Sequence, residues 1–281
     1  MSSESNPKKH NVLINYFSGT GNTKFFAEIM GEKASKLGAK VKTKDITPYN
    51  ARQEKIPYDH YDLILFGFPI YAGRAPDIIK EWLENQNGKS KPCAMFFTYG
   101  GVYMGKAHQD TGHILNNNSF KIIGSAEFLA KHSFNVAPGC KLVPNRPNNI
   151  DLQLAKKYIT KVLEKLEKEN LEPIKLPCKS KRPQRKKEHK KEKNEKKPIK
   201  FPYPKRDNET CSMCLLCEIE CPTRAFDAKT GNVDQEKCIR CMHCISICPD
   251  KVITIESYAD FYERITEKFN ISFEKESKFY V

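Results

Sequence analysis

A duplicated run of cysteines constrains this chain more than anything else in it. Eight of its eleven cysteines lie between Cys211 and Cys248. They read Cys211, Cys214, Cys217 and Cys221-Pro222, then Cys238, Cys241, Cys244 and Cys248-Pro249, each member of the second run 27 residues after its counterpart. Three thiolates at i, i+3 and i+6 on a tight loop can hold three irons of one cubane, while the fourth is carried away on the short helical segment that follows and ligates the other cubane. The spacing therefore assigns Cys211, Cys214, Cys217 and Cys248 to one [4Fe–4S] cluster, and Cys238, Cys241, Cys244 and Cys221 to a second.

Thiolates also suit zinc. Structural zinc sites, however, usually pair two CxxC knuckles a dozen or more residues apart, which leaves no use for a third cysteine at i+6 or for the proline after the fourth. A disulfide framework needs an oxidising compartment, and the opening MSSESNPKKH lacks the apolar stretch of an export signal. A cytoplasmic setting is the expectation, with no apolar run near the roughly 18 residues that cross a bilayer. Met213, Leu215, Leu216, Ile219, Ile239, Met242, Ile245 and Ile247 are interleaved with the ligands and are expected to keep water from the sulfurs.

The formal charge of +14 suggests nucleic acid until it is located. Between Lys179 and Arg206 there are 14 Lys and Arg against 3 Glu, so nearly all the excess sits in one segment. Like charges, Pro183, Pro198, Pro202 and Pro204, and few apolar residues predict an extended, mobile linker over 176–206. A docking arm for acidic partners is the second reading. Nucleic-acid or anionic-membrane binding is the third, because no folded nucleic-acid motif accompanies the run and Glu188, Glu192 and Glu195 dilute it.

The first half of the chain alternates strand and helix signals. Asn11–Phe17 is a short apolar run that breaks into Ser18-Gly19-Thr20-Gly21-Asn22-Thr23, followed by Phe25, Phe26, Ile29, Met30 and Leu37 at helical spacing. Glycines let the backbone approach an anion, the polar side chains offer donors, and a helix N-terminus favours a phosphate. The loop lacks the lysine of G-x-x-x-x-G-K-[ST] and the third glycine of G-x-G-x-x-G. Further strands are predicted over Lys40–Ile46, Asp62–Phe68, Cys93–Thr98 and Lys121–Leu129, with helices around Trp82, up to Leu115 and over Ile150–Leu166. Five strands alternating with helices give a doubly wound parallel sheet.

The Ser18–Thr23 loop resembles the FMN-phosphate loop of flavodoxins, and with the cysteine run the whole chain resembles a flavodoxin–ferredoxin fusion of the kind found in anaerobes. The likeness spans about residues 10–170 and 207–256. It implies an α/β flavodoxin-like sheet of order 2-1-3-4-5 over residues 1–175, and a small α+β two-cluster ferredoxin domain over 207–281. It implies FMN and two [4Fe–4S] clusters as cofactors. FMN contacts carry over to Ser18, Gly19, Thr20, Gly21, Asn22 and Thr23 at the phosphate. At the isoalloxazine ring they carry over to Pro69, Tyr71, Ala72 and Gly73 after the third strand, and to Tyr99, Gly100, Gly101 and Tyr103 after the fourth.

The implied function is electron transfer between clusters and FMN, taking electrons from a ferredoxin-like donor and reducing a small-molecule acceptor as an oxidoreductase. A carrier between partner proteins is the alternative. No acid–base catalyst stands out. Cys93 and Trp82 are expected in the core, Cys140 and Cys178 as free thiols, and His243 at the surface. Tyr258, Phe261, Tyr262, Ile265 and Phe269 form a helical stripe expected to pack on one of the two domains.

Overall fold

The computed structural model describes residues 9–178, 180–181, 184, 201–206, 210–268 and 275–281. Most of the basic linker and Phe269 lie outside them. The first domain runs β1 (Asn11–Tyr16), α1 (Asn22–Lys36), β2 (Lys40–Asp45), β3 (Leu63–Pro69), α2 (Asp77–Glu84), β4 (Pro92–Tyr99), α3 (Ala107–Asn117), β5 (Lys121–Leu129) and α4 (Asn149–Glu167). Next come β6 (Lys205–Arg206), α5 (Leu216–Ile219), β7 (Phe226–Asp227), β8 (Asn232–Val233), α6 (His243–Ile247), β9 (Ile253–Thr254), α7 (Ala259–Lys268) and β10 (Lys278–Tyr280).

The main sheet has the order β10-β5-β4-β3-β1-β2. Its five parallel strands therefore follow 2-1-3-4-5, the doubly wound flavodoxin-like arrangement. The central strands are buried on both sides, which is why they read as continuous apolar runs. Alternate residues serve opposite cores. Leu63 and Leu65 pack with Phe26, Met30 and Tyr158 from α1 and α4, while Ile64, Phe66 and Phe68 pack with Ile79, Trp82 and Leu115 from α2 and α3. β2 ends the sheet with KVKTKD, a short charged edge that resists further pairing.

One boundary expectation is corrected. Residues 207–281 do not all belong with the cysteine segment, because β10 returns to the first domain and pairs antiparallel with β5, Phe279 opposite Ala126. A buried polar knot holds it there. Asp151 is fully buried, accepts from Arg146 Nη1 at 2.6 Å, from Ser277 Oγ at 2.6 Å and from the Asn148 backbone N–H at 2.8 Å. Arg146 Nη2 reaches on to the Lys275 carbonyl at 2.6 Å. Asp151 is also the N3 member of the capping box that starts α4.

The cysteine segment is held by two small antiparallel ladders, β6 with β9 and β7 with β8. Its apolar stripe finds partners on both domains: Tyr258, Phe261, Tyr262 and Ile265 pack with Phe134, Ala137 and Leu142 of the first domain and with Met242 and Ile255 of the second. A two-residue ladder cannot supply such a core by itself.

Candidate functional site

Three loops leave the carboxyl ends of β1, β3 and β4, and a fourth leaves β5. Together they make a narrow cleft that continues into a wider cavity. The cleft, about 30 Å³, is lined by Ser18, Gly19, Thr20, Asn22 and Thr23 with Pro69, Thr98 and Lys131. Gly21 at φ 86° is the N-cap of α1 and makes no side-chain cap, and the first turn carries no acidic residue, so the dipole at this end favours an anion.

The polar side chains of this loop are partly spoken for. Asn22 Nδ2 donates to the Lys131 carbonyl at 2.9 Å, Thr23 Oγ1 is hydrogen-bonded to Thr98 Oγ1 at 2.7 Å, and Ser18 Oγ accepts from the Lys24 N–H at 3.2 Å. Asn22 and Thr23 thus shape the loop, and the oxygens of Ser18 and Thr20 already accept from the Lys24 N–H and from Asn22 Nδ2 at 3.3 Å, which leaves each hydroxyl a proton to donate.

The wider cavity, about 410 Å³, falls within the range of small-ligand sites. Tyr71, Ala72, Gly73, Tyr99, Gly100 and Tyr103 line it, whereas Gly21 and Gly101 line neither space. Other lining residues were not foreseen at this site: His132 and Ser133 after β5, Phe201 and Ile239–Arg240 from the second domain, and Phe261 and Ile265, which the sequence marked only as part of an apolar helical stripe. The loop after β5 could have been anticipated, since that strand ends at the same sheet edge.

His132 Nδ1 accepts from the Phe134 N–H at 3.1 Å, so the neutral ring carries its proton on Nε2. Burial pushes its pKa down to about 4. The unfolded chain binds this proton near pH 6.5, so folding stability attributable to His132 is complete above that pH and is lost as pH falls toward 4. Wild type minus His132→Gln should lose about 2 kcal/mol between pH 7.5 and pH 5, measured by denaturant unfolding at each pH. Equal pH slopes for the two proteins would refute it.

The eight cysteines sort themselves electrostatically. Burial pushes Cys217 up to about 11, and the thiols acting on it are Cys211, Cys248 and Cys214. Burial pushes Cys241 up to about 12, with Cys221 and Cys238 as its neighbours, and raises Cys244 beside Cys241, Cys238 and Cys221. Among the described residues no group of three or more His, Cys, Asp or Glu side chains is gathered as a single ion would require. A cubane instead spreads its four ligands over four irons. Backbone N–H groups already point at sulfur, Met213 to Cys211 at 3.4 Å and Ala225 to Cys221 at 3.2 Å. Such bonds help to set cluster potentials.

The Cys238–Cys244 loop is pressed against the first domain. Cys241 is buried in the core that contains Tyr71, and His243 Nδ1 bonds the Gly19 carbonyl at 3.0 Å. The surface role expected for His243 is therefore corrected: it is buried and ties the cysteine loop to the phosphate loop. Further contacts are Arg224 Nη2 to Asn50 Oδ1 at 2.6 Å, the Arg224 guanidinium 4.1 Å from the Tyr49 ring, and Arg52 Nη2 to the Pro222 carbonyl. Cys140 is a free thiol, as expected, and is buried with Sγ 3.4 Å from Asn135 Oδ1.

Residues 203–249 match a family described as a 4Fe-4S dicluster domain. No curated protein matches the chain. Among solved structures, a flavodoxin from the domain Archaea is 18% identical over 56% of this chain and 99% of its own, at a TM-score of 0.42. The flavodoxin of Streptococcus pneumonia TIGR4 is 17% identical over 55% of this chain and 99% of its own, at 0.40. Rubredoxin oxygen:oxidoreductase from Desulfovibrio gigas is 15% identical over 58% of this chain and 38% of its own, at 0.42. No helix among the described residues is long and apolar enough to cross a membrane. The sheet order and the matched cysteine segment together describe a flavodoxin-like domain joined to a segment resembling a 4Fe-4S dicluster domain.

Proposed function

We propose that the chain is an internal electron relay that holds one FMN between its domains and two [4Fe–4S] clusters in its cysteine segment, and passes electrons between partner proteins. The carrying observation is that Ile239 and Arg240, from within the second cysteine run, form part of the wall of the cavity that Tyr71, Tyr99 and Tyr103 also line. FMN supplies a centre that exchanges one or two electrons, while each cluster exchanges one. The cleft residues Ser18 and Thr20 and the α1 N-terminus would hold the phosphate, and the tyrosines would flank the ring. Cys238, Cys241, Cys244 and Cys221 would hold the cluster nearer the cavity; Cys211, Cys214, Cys217 and Cys248 would hold the outer one.

Phe201, Phe261 and Ile265 add to the wall of this cavity from outside the first domain's loops, which favours a relay over direct reduction of a small molecule. An external ferredoxin-like protein would exchange electrons at the outer cluster, where Met213, Leu215, Leu216 and Ile219 are exposed.

Anaerobically purified protein should contain about eight iron, eight acid-labile sulfide and one FMN per chain. Zinc in place of iron, or clusters without flavin, would overturn the relay. Cys248→Ser should remove the outer cluster, halving the iron to about four per chain, while FMN stays bound. Loss of the inner cluster's paramagnetic signal instead would mean that the ligands do not cross between the runs.

A further inference from the structure

Arg240 sits between Cys238 and Cys241 in left-handed backbone, φ 52°, and its side chain lines the flavin cavity. The guanidinium lies 3.9 Å from the Tyr203 ring centroid and 5.9 Å from that of Phe201. Its Nε is buried and has no hydrogen-bond partner among the described residues. Arginine keeps its charge at any physiological pH. Among the residues lining the cavity there is no carboxylate and no lysine, and burial holds His132 neutral, so Arg240 is the one charged side chain in this lining. Such a charge in surroundings of low dielectric attracts an anion strongly.

We propose that Arg240 is a flavin ligand lent by the cysteine segment to the first domain, its guanidinium binding the negative charge that the isoalloxazine ring carries once reduced. This rests on FMN occupying the cavity. Two electrons reach the ring singly from the inner cluster, which returns each time to its oxidised state and is recharged by the external one-electron donor. One proton comes from solvent. The ring is left with one negative charge, spread over its N1 and C2-carbonyl edge, and Arg240 stabilises that state while contributing little to binding of the neutral oxidised ring. The residue is joined by backbone to ligands of the inner cluster, so the flavin is made easier to reduce only while its electron source is docked.

The test uses the full chain loaded with FMN and clusters, comparing wild type, Arg240→Gln and Arg240→Lys. The FMN midpoint is read by anaerobic spectroelectrochemistry, and the affinity for oxidised FMN by fluorescence titration. The Gln variant should keep its iron and its oxidised-FMN affinity but lose at least about tenfold in preference for reduced over oxidised flavin, which lowers a two-electron midpoint by about 30 mV. Lysine should restore most of that. Unchanged midpoints, or equal weakening of oxidised and reduced FMN, would overturn the proposal. Should the Gln variant lose its clusters, Tyr203→Leu removes the stacking platform and leaves the loop intact; a smaller downward shift supports the assignment and no shift overturns it. Wild-type protein that binds no FMN would overturn the flavin site itself, a result distinct from bound flavin with an unmoved potential.

Discussion

Gly19→Ala is expected to slow reduction of the flavin by the clusters about 100-fold, the order of loss that an ångström of misplacement can produce at a site built for close approach. A Cβ at Gly19 would stand 2.3 Å from the Cys241 carbonyl oxygen and 3.0 Å from the Tyr71 hydroxyl. The tyrosine can swing aside, but the carbonyl belongs to backbone between two proposed cluster ligands. The added methyl must therefore push the cysteine loop away from the phosphate loop, straining the His243–Gly19 bond as it goes. Stopped-flow mixing with a reduced ferredoxin would follow the flavin absorbance, and iron and FMN contents should stay at wild-type levels. A rate within twofold of wild type would show that the two loops need not touch.

The second large effect is on stability. Asp151→Ala should cost about 3–5 kcal/mol, because removing one partner of a buried ion pair strands the other. Arg146, Ser277 and the Asn148 N–H all converge on this carboxylate, so the change removes a helix cap, a salt bridge and the anchor of β10 together. Chemical denaturation would give the loss, and amide exchange at Phe279 and Tyr280 would report release of the strand. Asp151→Asn keeps the volume and part of the bonding and should fall between the two. A loss under about 1 kcal/mol for alanine, the level of an exposed ion pair, would contradict the burial seen here.

Legibility followed the reach of the interactions. The five parallel strands could be read because each is buried on both faces and therefore written as an unbroken apolar run bounded by turns. The cysteine runs could be read because ligands of one loop lie within six residues of each other. β10 could not: KFY is three residues long, and what fixes it is Ser277 meeting Asp151, 126 residues away in sequence. His243 looked like any isolated histidine, since its partner is a backbone carbonyl on the far domain. The same holds for the cavity. Tyr71 and Tyr103 were marked by glycine-rich loops, but Arg240 and Phe201 acquire meaning only from a domain contact that no local pattern encodes, and the stripe that marked Phe261 did not say what it would face.

The return of β10 to β5 makes the cysteine segment an insertion, attached to the first domain at both its ends and never hanging from one strap. A single cut between residues 181 and 201, where lysine and arginine are dense, would leave two pieces still joined by the β10–β5 pairing and by the hydrogen bonds of Ser277 to Asp151 and of Arg146 to the Lys275 carbonyl. Double attachment also confines the search that an undocked segment would make before docking again, because its effective concentration at the phosphate loop is set by two tethers instead of one. Collisions with other molecules of the same protein then compete poorly with its own return, so in the proposed relay an electron on a cluster would be kept for the flavin of the same chain.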